Sequence, residues 1–154
     1  MISHKLRLTL LLSALGSIAL VGQPAVLAHA AEGRIIQPDA LVWTPFAGLP
    51  PGTKIAVLQG DGDFSKAEPF TVRLWLPAGY EIATHSHPTA EVITIISGKL
   101  RMAFGEKADA SGAQTLIPGS FLILPPDAYH HLWADAETVI EVHSTGPFGV
   151  KLAK

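Results

Sequence analysis

After its first thirty residues this chain of 154 residues carries no run of useful length with helical periodicity. In its place stand nine short β-branched or alternating runs, residues 54–58, 70–76, 80–87, 91–97, 99–104, 115–117, 120–124, 130–134 and 138–143, cut by Gly, Pro and Asp. Short strands of this kind can bury an apolar face only by stacking on each other, so the chain is predicted to be all-β, a sandwich or barrel in one domain. Residues 41–51, rich in Pro and Gly, read as an irregular segment lying across it. No internal repeat or low-complexity linker interrupts the pattern. Gly60-Asp61-Gly62-Asp63 lacks the spaced acidic ligands of a calcium loop and reads as a plain turn.

One stretch adds chemistry to this framework. From Gly79 to Gly98 the residues follow G-x5-H-x-H-x3-E-x6-G, with His85, His87 and Glu91 inside two glycines. In a strand, residues two apart share a face and stand roughly 7 Å apart, so both imidazoles point the same way. Pro88 pushes His87 toward an extended backbone, and Pro88-Thr89-Ala90 reads as a three-residue hairpin loop that sets Glu91 across from His87. Opposed residues in such a pair have Cβ atoms about 5 Å apart, close enough to share one cation at about 2.0–2.2 Å. His85, His87 and Glu91 are therefore candidate metal ligands. Gly79 and Gly98 fall where the chain must turn sharply.

A fourth ligand should come from elsewhere, and residues 119–130, from Gly119 through Pro125 to His130, offer one. With these residues the sequence resembles the cupin superfamily. Its first motif is matched at Gly79, His85, His87, Glu91 and Gly98. Its second, G-x5-P-x-G-x2-H-x3-N, is matched at Gly119, Pro125 and His130, but Asp127 stands for its glycine and Ala134 for its asparagine. The resemblance covers about residues 35–150 and is nearest to small single-domain bacterial cupins that end in a Gly-Pro-Phe-Gly stretch, as at Gly146 to Gly149. It implies a double-stranded β-helix, or jelly-roll barrel, with metal ligands His85, His87, Glu91 and His130. His131 has the same chemistry as His130, and only the five-residue spacing from Pro125 selects His130, with strand alternation sending His131 outward. His143 reads either as a base above the metal or as a hydrogen-bonded histidine of surface or core.

The first thirty residues hold Lys5, Arg7, an apolar run over 8–21 and Ala28-His29-Ala30, the pattern of a secretory signal peptide cleaved after Ala30. The expected mature domain is residues 31–154, periplasmic or secreted, with no membrane anchor after cleavage, because about 14 apolar residues fall short of the roughly 20 that span a bilayer. Without Lys5 and Arg7 the eleven Lys and Arg become nine against thirteen Asp and Glu, a net charge near −4. Such a balance disfavours nucleic acid and anionic membranes as partners. There is no cysteine, so stability must come from the β core and not from disulfides. A homodimer through the edges near Ile35 and Trp43 is open.

Three imidazoles and one carboxylate leave positions open on a six-coordinate ion, which suits exchange of dioxygen, water or a chelating substrate. The expected cofactor is a divalent transition metal, Cu, Zn, Fe, Mn or Ni, with copper or zinc favoured in the envelope by the affinity order. The cupin resemblance implies dioxygenases, isomerases, decarboxylases or binding proteins. The leading expectation is a dioxygenase-like enzyme acting on a small enolic, diketone or phenolic compound, with Glu91 as ligand and catalytic base. The alternative is a non-catalytic module that binds or senses a metal or small ligand. Ile93 and Ile95 share a face with Glu91, which predicts an apolar pocket. Arg73, Trp75, Met102, Phe104, Tyr129 and Trp133 are candidate substrate contacts, since either face of strand 70–76 can point inward.

Overall fold

A computed structural model describes residues 33–154. The predicted signal peptide, residues 1–30, lies outside the described residues. Eleven strands are present among those described: β1 (Thr44–Pro45), β2 (Lys54–Gln59), β3 (Pro69–Leu76), β4 (Tyr80–Ser86), β5 (Glu91–Ser97), β6 (Leu100–Phe104), β7 (Gln114–Leu116), β8 (Phe121–Leu124), β9 (His130–Ala134), β10 (Thr138–Thr145) and β11 (Lys151–Leu152). Each of the nine predicted runs is a strand to within two residues at either end. The two-residue strands β1 and β11 are additional, and β1 is the one regular piece of the 41–51 segment.

All pairings are antiparallel, in two sheets. The first has the order β1-β2-β3-β10-β5-β8 and the second β11-β4-β9-β6-β7. Their inner faces meet in one apolar core, to which Phe70, Val72, Leu74, Ile93, Ile95 and Ile140 come from the first sheet and Ile82, Leu100, Met102 and Leu132 from the second. Leu100 and Met102 have no exposed surface at all. Burying a side chain of this size stabilises the fold by roughly 1.5–3 kcal/mol. The architecture is the expected double-stranded β-helix. Its ladders leave two open sheets among the described residues, so the hydrogen bonding does not close into a barrel.

The register corrects the predicted hairpin. β4 pairs with β9 and β11 in the second sheet, whereas β5 pairs with β10 and β8 in the first. Pro88-Thr89-Ala90 is thus a crossing from one layer to the other. Pro88 cannot donate to a ladder, which ends the pairing of β4 there. Glu91 lies opposite Leu124 in its own sheet and faces the histidines across the sandwich.

At the two ends of this stretch Gly79 and Gly98 both have positive φ, 75° and 86°. They differ in their surroundings. A Cβ at Gly79 would meet nothing within 4 Å, while one at Gly98 would overlap the Glu137 carbonyl oxygen and stand 2.6 Å from Thr138 Cα. The Asp61–Asp63 turn is held by its own bonds: the Asp63 N–H donates to Asp61 Oδ1 (2.9 Å), and Lys66 bonds the Asp61 carboxylate.

Candidate metal centre

His85 reaches the interior because β4 is irregular. The register passes from Ile82 opposite Leu132 to His85 opposite His130, three residues on β4 against two on β9. This extra residue is a bulge, and it lets Ile82 and His85 face inward although strict alternation would send one outward. His87 follows just beyond the strand end. His130 begins β9 after a turn in which the Ala128 N–H donates to the Pro125 carbonyl (3.2 Å). At this turn Asp127 has φ 60°, the left-handed conformation that glycine adopts freely and Asp tolerates. The substitution for the motif glycine therefore keeps the turn, and the Asp127 N–H donates to the His87 carbonyl (2.8 Å), joining the two motifs.

The three imidazoles converge. Ring centroids are 4.2 Å apart for His85 and His130, 5.0 Å for His85 and His87, and 5.5 Å for His87 and His130. Each ring has Nδ1 on a backbone carbonyl: His85 on Ala83 (2.8 Å), His87 on Gly149 (2.7 Å), His130 on Ala128 (2.9 Å). A carbonyl only accepts, so Nδ1 carries the proton and Nε2 presents its lone pair to the centre. Glu91 Oε2 lies 3.5 Å from Nε2 of both His87 and His130.

All four side chains are buried, and burial favours their neutral forms. It pushes His85 down to about 3, helped by neighbouring His130, and His87 down to about 4. His130 is lowered by the same cause, and the Glu91 carboxyl is pushed up to about 8. Of the three buried side-chain atoms without a hydrogen-bond partner among the described residues, two, Glu91 Oε2 and His130 Nε2, belong to this site, the third being Ser86 Oγ. Two ligands each about 2.1 Å from one ion stand roughly 3.0–3.4 Å apart, close to the 3.5 Å found here. The donor set fits a transition-metal ion, and the three histidines by themselves bring their ligand atoms within 4.8 Å of one another.

Beside these residues is a cavity of about 330 Å³. Phe70, Val72, Leu74 and Ile93 line it, so the inward face of β3 is the Phe70 face. Arg73 and Trp75 point outward instead, Arg73 Nε donating to Glu141 Oε2 (2.8 Å) and Trp75 lying under Lys54 Nζ (4.7 Å). Met102 is sealed in the core, and neither it nor Phe104, Tyr129 or Trp133 lines the cavity. None of the six candidate substrate contacts is therefore at the site. Ile95 too lies in the core beyond the cavity wall.

The neighbouring histidines face away. His131 is on the outer side of β9, its Nε2 2.7 Å from Glu81 Oε1, its Nδ1 3.0 Å from Thr84 Oγ1, its ring stacked on Trp133 at 3.9 Å. His143 is on the outer face of the other sheet, between Thr71 Oγ1 (2.9 Å) and Glu141 Oε1 (3.1 Å). The structure thus makes it a hydrogen-bonded surface histidine.

The sequence reading missed an aromatic wall. Phe46, Phe64, Phe70 and Phe148 touch in succession, with centroids 6.2, 4.8 and 5.2 Å apart, and Phe148 stacks on His87. Three separate segments supply these rings. Only the Gly146–Gly149 stretch gave a signal, and that signal was a likeness with no contact attached.

Two antiparallel sheets with three histidines and a glutamate converging between them define a cupin. Within that class, residues 31–149 match the model of the ChrR cupin-like domain, and the chain belongs to that family. No curated protein matches the chain. Among solved structures it is similar to an uncharacterized conserved double-stranded β-helix protein from Klebsiella pneumoniae, with 24% identity, TM-score 0.58, and 80% of this chain and 99% of that one covered. It is similar also to an RmlC-like cupin from Shewanella frigidimarina, with 18% identity, TM-score 0.56, and 75% and 94% covered. A candidate acetylacetone dioxygenase from Methylibium petroleiphilum has 21% identity and TM-score 0.60, with 79% and 83% covered. At these identities the likeness is one of fold.

Proposed function

We propose that the protein is a metal-dependent, dioxygenase-like cupin enzyme acting on a small enolic, diketone or phenolic compound, with His85, His87, His130 and Glu91 as ligands. The observation that carries this reading is the convergence of three carbonyl-oriented imidazoles with an unpartnered glutamate oxygen at the end of an apolar cavity. When bound, a divalent transition metal supplies Lewis acidity and exchangeable positions for oxygen ligands. The chain's own residues do the rest. The imidazoles hold a fixed tautomer, the Glu91 carboxylate accepts the proton that an enol or phenol loses, and the aliphatic and phenylalanine wall excludes water from the reacting atoms.

The cavity supports catalysis over a module that merely holds metal, because Leu49 and Phe46 of the 41–51 segment wall it and do not fill it. The fold shared with the candidate acetylacetone dioxygenase agrees with oxygen chemistry. We further propose that the enzyme works in the periplasm or outside the cell, on the signal-peptide pattern of residues 1–30.

Oxygen uptake with a panel of enolisable substrates, wild type against Glu91→Gln, tests the enzyme. Uptake above background in wild type and its loss in the variant is expected. Equal background rates in both, with metal present, would overturn catalysis. Metal below a tenth of an equivalent by elemental analysis would overturn the metal site itself.

A further inference from the structure

The cavity is polar at one end only. Apart from His85, His87, His130 and Glu91, every lining side chain among the described residues is a hydrocarbon, and the remaining lining positions are Gly48 and Gly149. The Gly149 carbonyl is committed to His87, and a carbonyl repels an anion in any case. Several basic side chains are engaged outside the cavity: Arg73 with Glu141, Arg101 and Lys99 with Asp135, Lys66 with Asp61, Lys54 over Trp75 and Lys151 over Tyr129. None of them lines the cavity.

The size of the chamber matters as well. At about 330 Å³ it sits at the lower end of small-molecule sites, which run from roughly 300 to 1,000 Å³. A ligand chelating at the histidines has the rest of its atoms among lining side chains that are all hydrocarbon. A charged group on those atoms would lose its water and find no donor, and an ionised group buried without a partner is strongly disfavoured.

We propose that this site, on the metal-enzyme reading above, takes neutral enolisable oxygen chelators with uncharged hydrocarbon substituents and rejects the same chelators when they carry a carboxylate close to the chelating head. The specificity comes from the wall and not from the ligand set. Sugar acids and carboxylated phenols are excluded by it, and alkyl- or aryl-substituted β-diketones and their enols are admitted.

The test is binding, not turnover. Full-length protein is loaded with Zn²⁺ and its zinc content measured before any ligand is added. Two isosteres are then titrated by calorimetry. Both are acetylacetone extended on one methyl by a two-carbon arm, which ends in an isopropyl group in one and in a carboxylate in the other. The neutral compound should bind at least about 100-fold more tightly. Comparable affinities would overturn the proposal, and so would failure of both to bind to zinc-loaded protein. Zinc below a tenth of an equivalent would remove the metal reading and this proposal with it, a result already known at the first step.

Discussion

Phe148 lies flat on the His87 imidazole, centroids 4.1 Å apart and planes within 16°, while the carbonyl of the next residue, Gly149, fixes the far nitrogen of the same ring. One short segment therefore sets both the plane and the tautomer of a proposed ligand 62 residues away in sequence. That segment is itself anchored, since the Phe148 N–H donates to the Phe64 carbonyl (2.7 Å).

Partners that orient a ligand ring without touching the ion typically matter by 10- to 100-fold in metal affinity. Phe148→Ala should weaken Zn²⁺ binding about tenfold and lower stability by about 2 kcal/mol, less than a fully buried ring would because Phe148 is half-buried. Phe148→Leu should recover most of the stability and little of the affinity. Competition with a chromogenic chelator reads the first quantity and urea denaturation the second; recovery of both by Leu would show that Phe148 only fills space.

Protons compete with an ion for the same atoms. Without metal the Glu91 carboxyl, near 8, carries a proton at pH 7, while His85 and His87, near 3 and 4, carry none. Zn²⁺ binding at pH 7 should release close to one proton, and affinity should rise by up to about tenfold per pH unit until about pH 8, then level off. Calorimetry in buffers of different ionisation enthalpy counts the proton. A count of zero would leave Glu91 outside the ligand set.

The same group imposes a slope on metal-free stability. The folded pKa of Glu91 is raised above the ordinary 4.5, so its effect favours the fold at low pH and is lost as pH rises toward 8. The histidines, lowered from 6.5, act in the opposite sense, an effect that fades only about one pH unit above 6.5, where the unfolded imidazoles have become neutral. From pH 7.5 to 8.5 Glu91 dominates, and metal-free protein should lose roughly 0.5–1 kcal/mol there. Glu91→Gln should flatten the slope in urea titrations at the two pH values.

The two motif glycines should respond unequally to alanine. Gly79→Ala places a Cβ in open space and should cost about 1–2 kcal/mol for left-handed backbone alone. Gly98→Ala adds a clash with the backbone of Glu137 and Thr138 and should cost more than about 3 kcal/mol. Equal losses in chemical denaturation would contradict this difference.

Asp127→Gly should stabilise by about 0.5–1 kcal/mol, because glycine adopts φ 60° without strain. Asp127→Val should destabilise by more than 1 kcal/mol, since a β-branched side chain resists that conformation. Thermal melts of the three proteins rank them.

The strands and the convergence of His85, His87, His130 and Glu91 were legible because their signals are local: β-branched runs, turn residues, and histidines whose spacing survives any choice of partner strand. Partner choice is not local. A three-residue loop after His87 suits a hairpin as well as a crossing between layers, and only the ladders of β4 with β9 and of β5 with β10 decide between them. The inward face of β3 was ambiguous for a related reason. Phe70, Val72 and Leu74 compete with an outer face whose Trp75 is also apolar, and what settles it is the facing sheet. His85 shows the limit of alternation, since the bulge after Ile82 reverses parity with no glycine to announce it.

His85, His87 and His130 hang from the second sheet and Glu91 from the first. An ion shared among them would be a rivet between the layers in a chain that has no cysteine to cross-link them. Occupancy and the spacing of the two sheets then become one variable, and any motion that parts the layers also opens the grip on the ion.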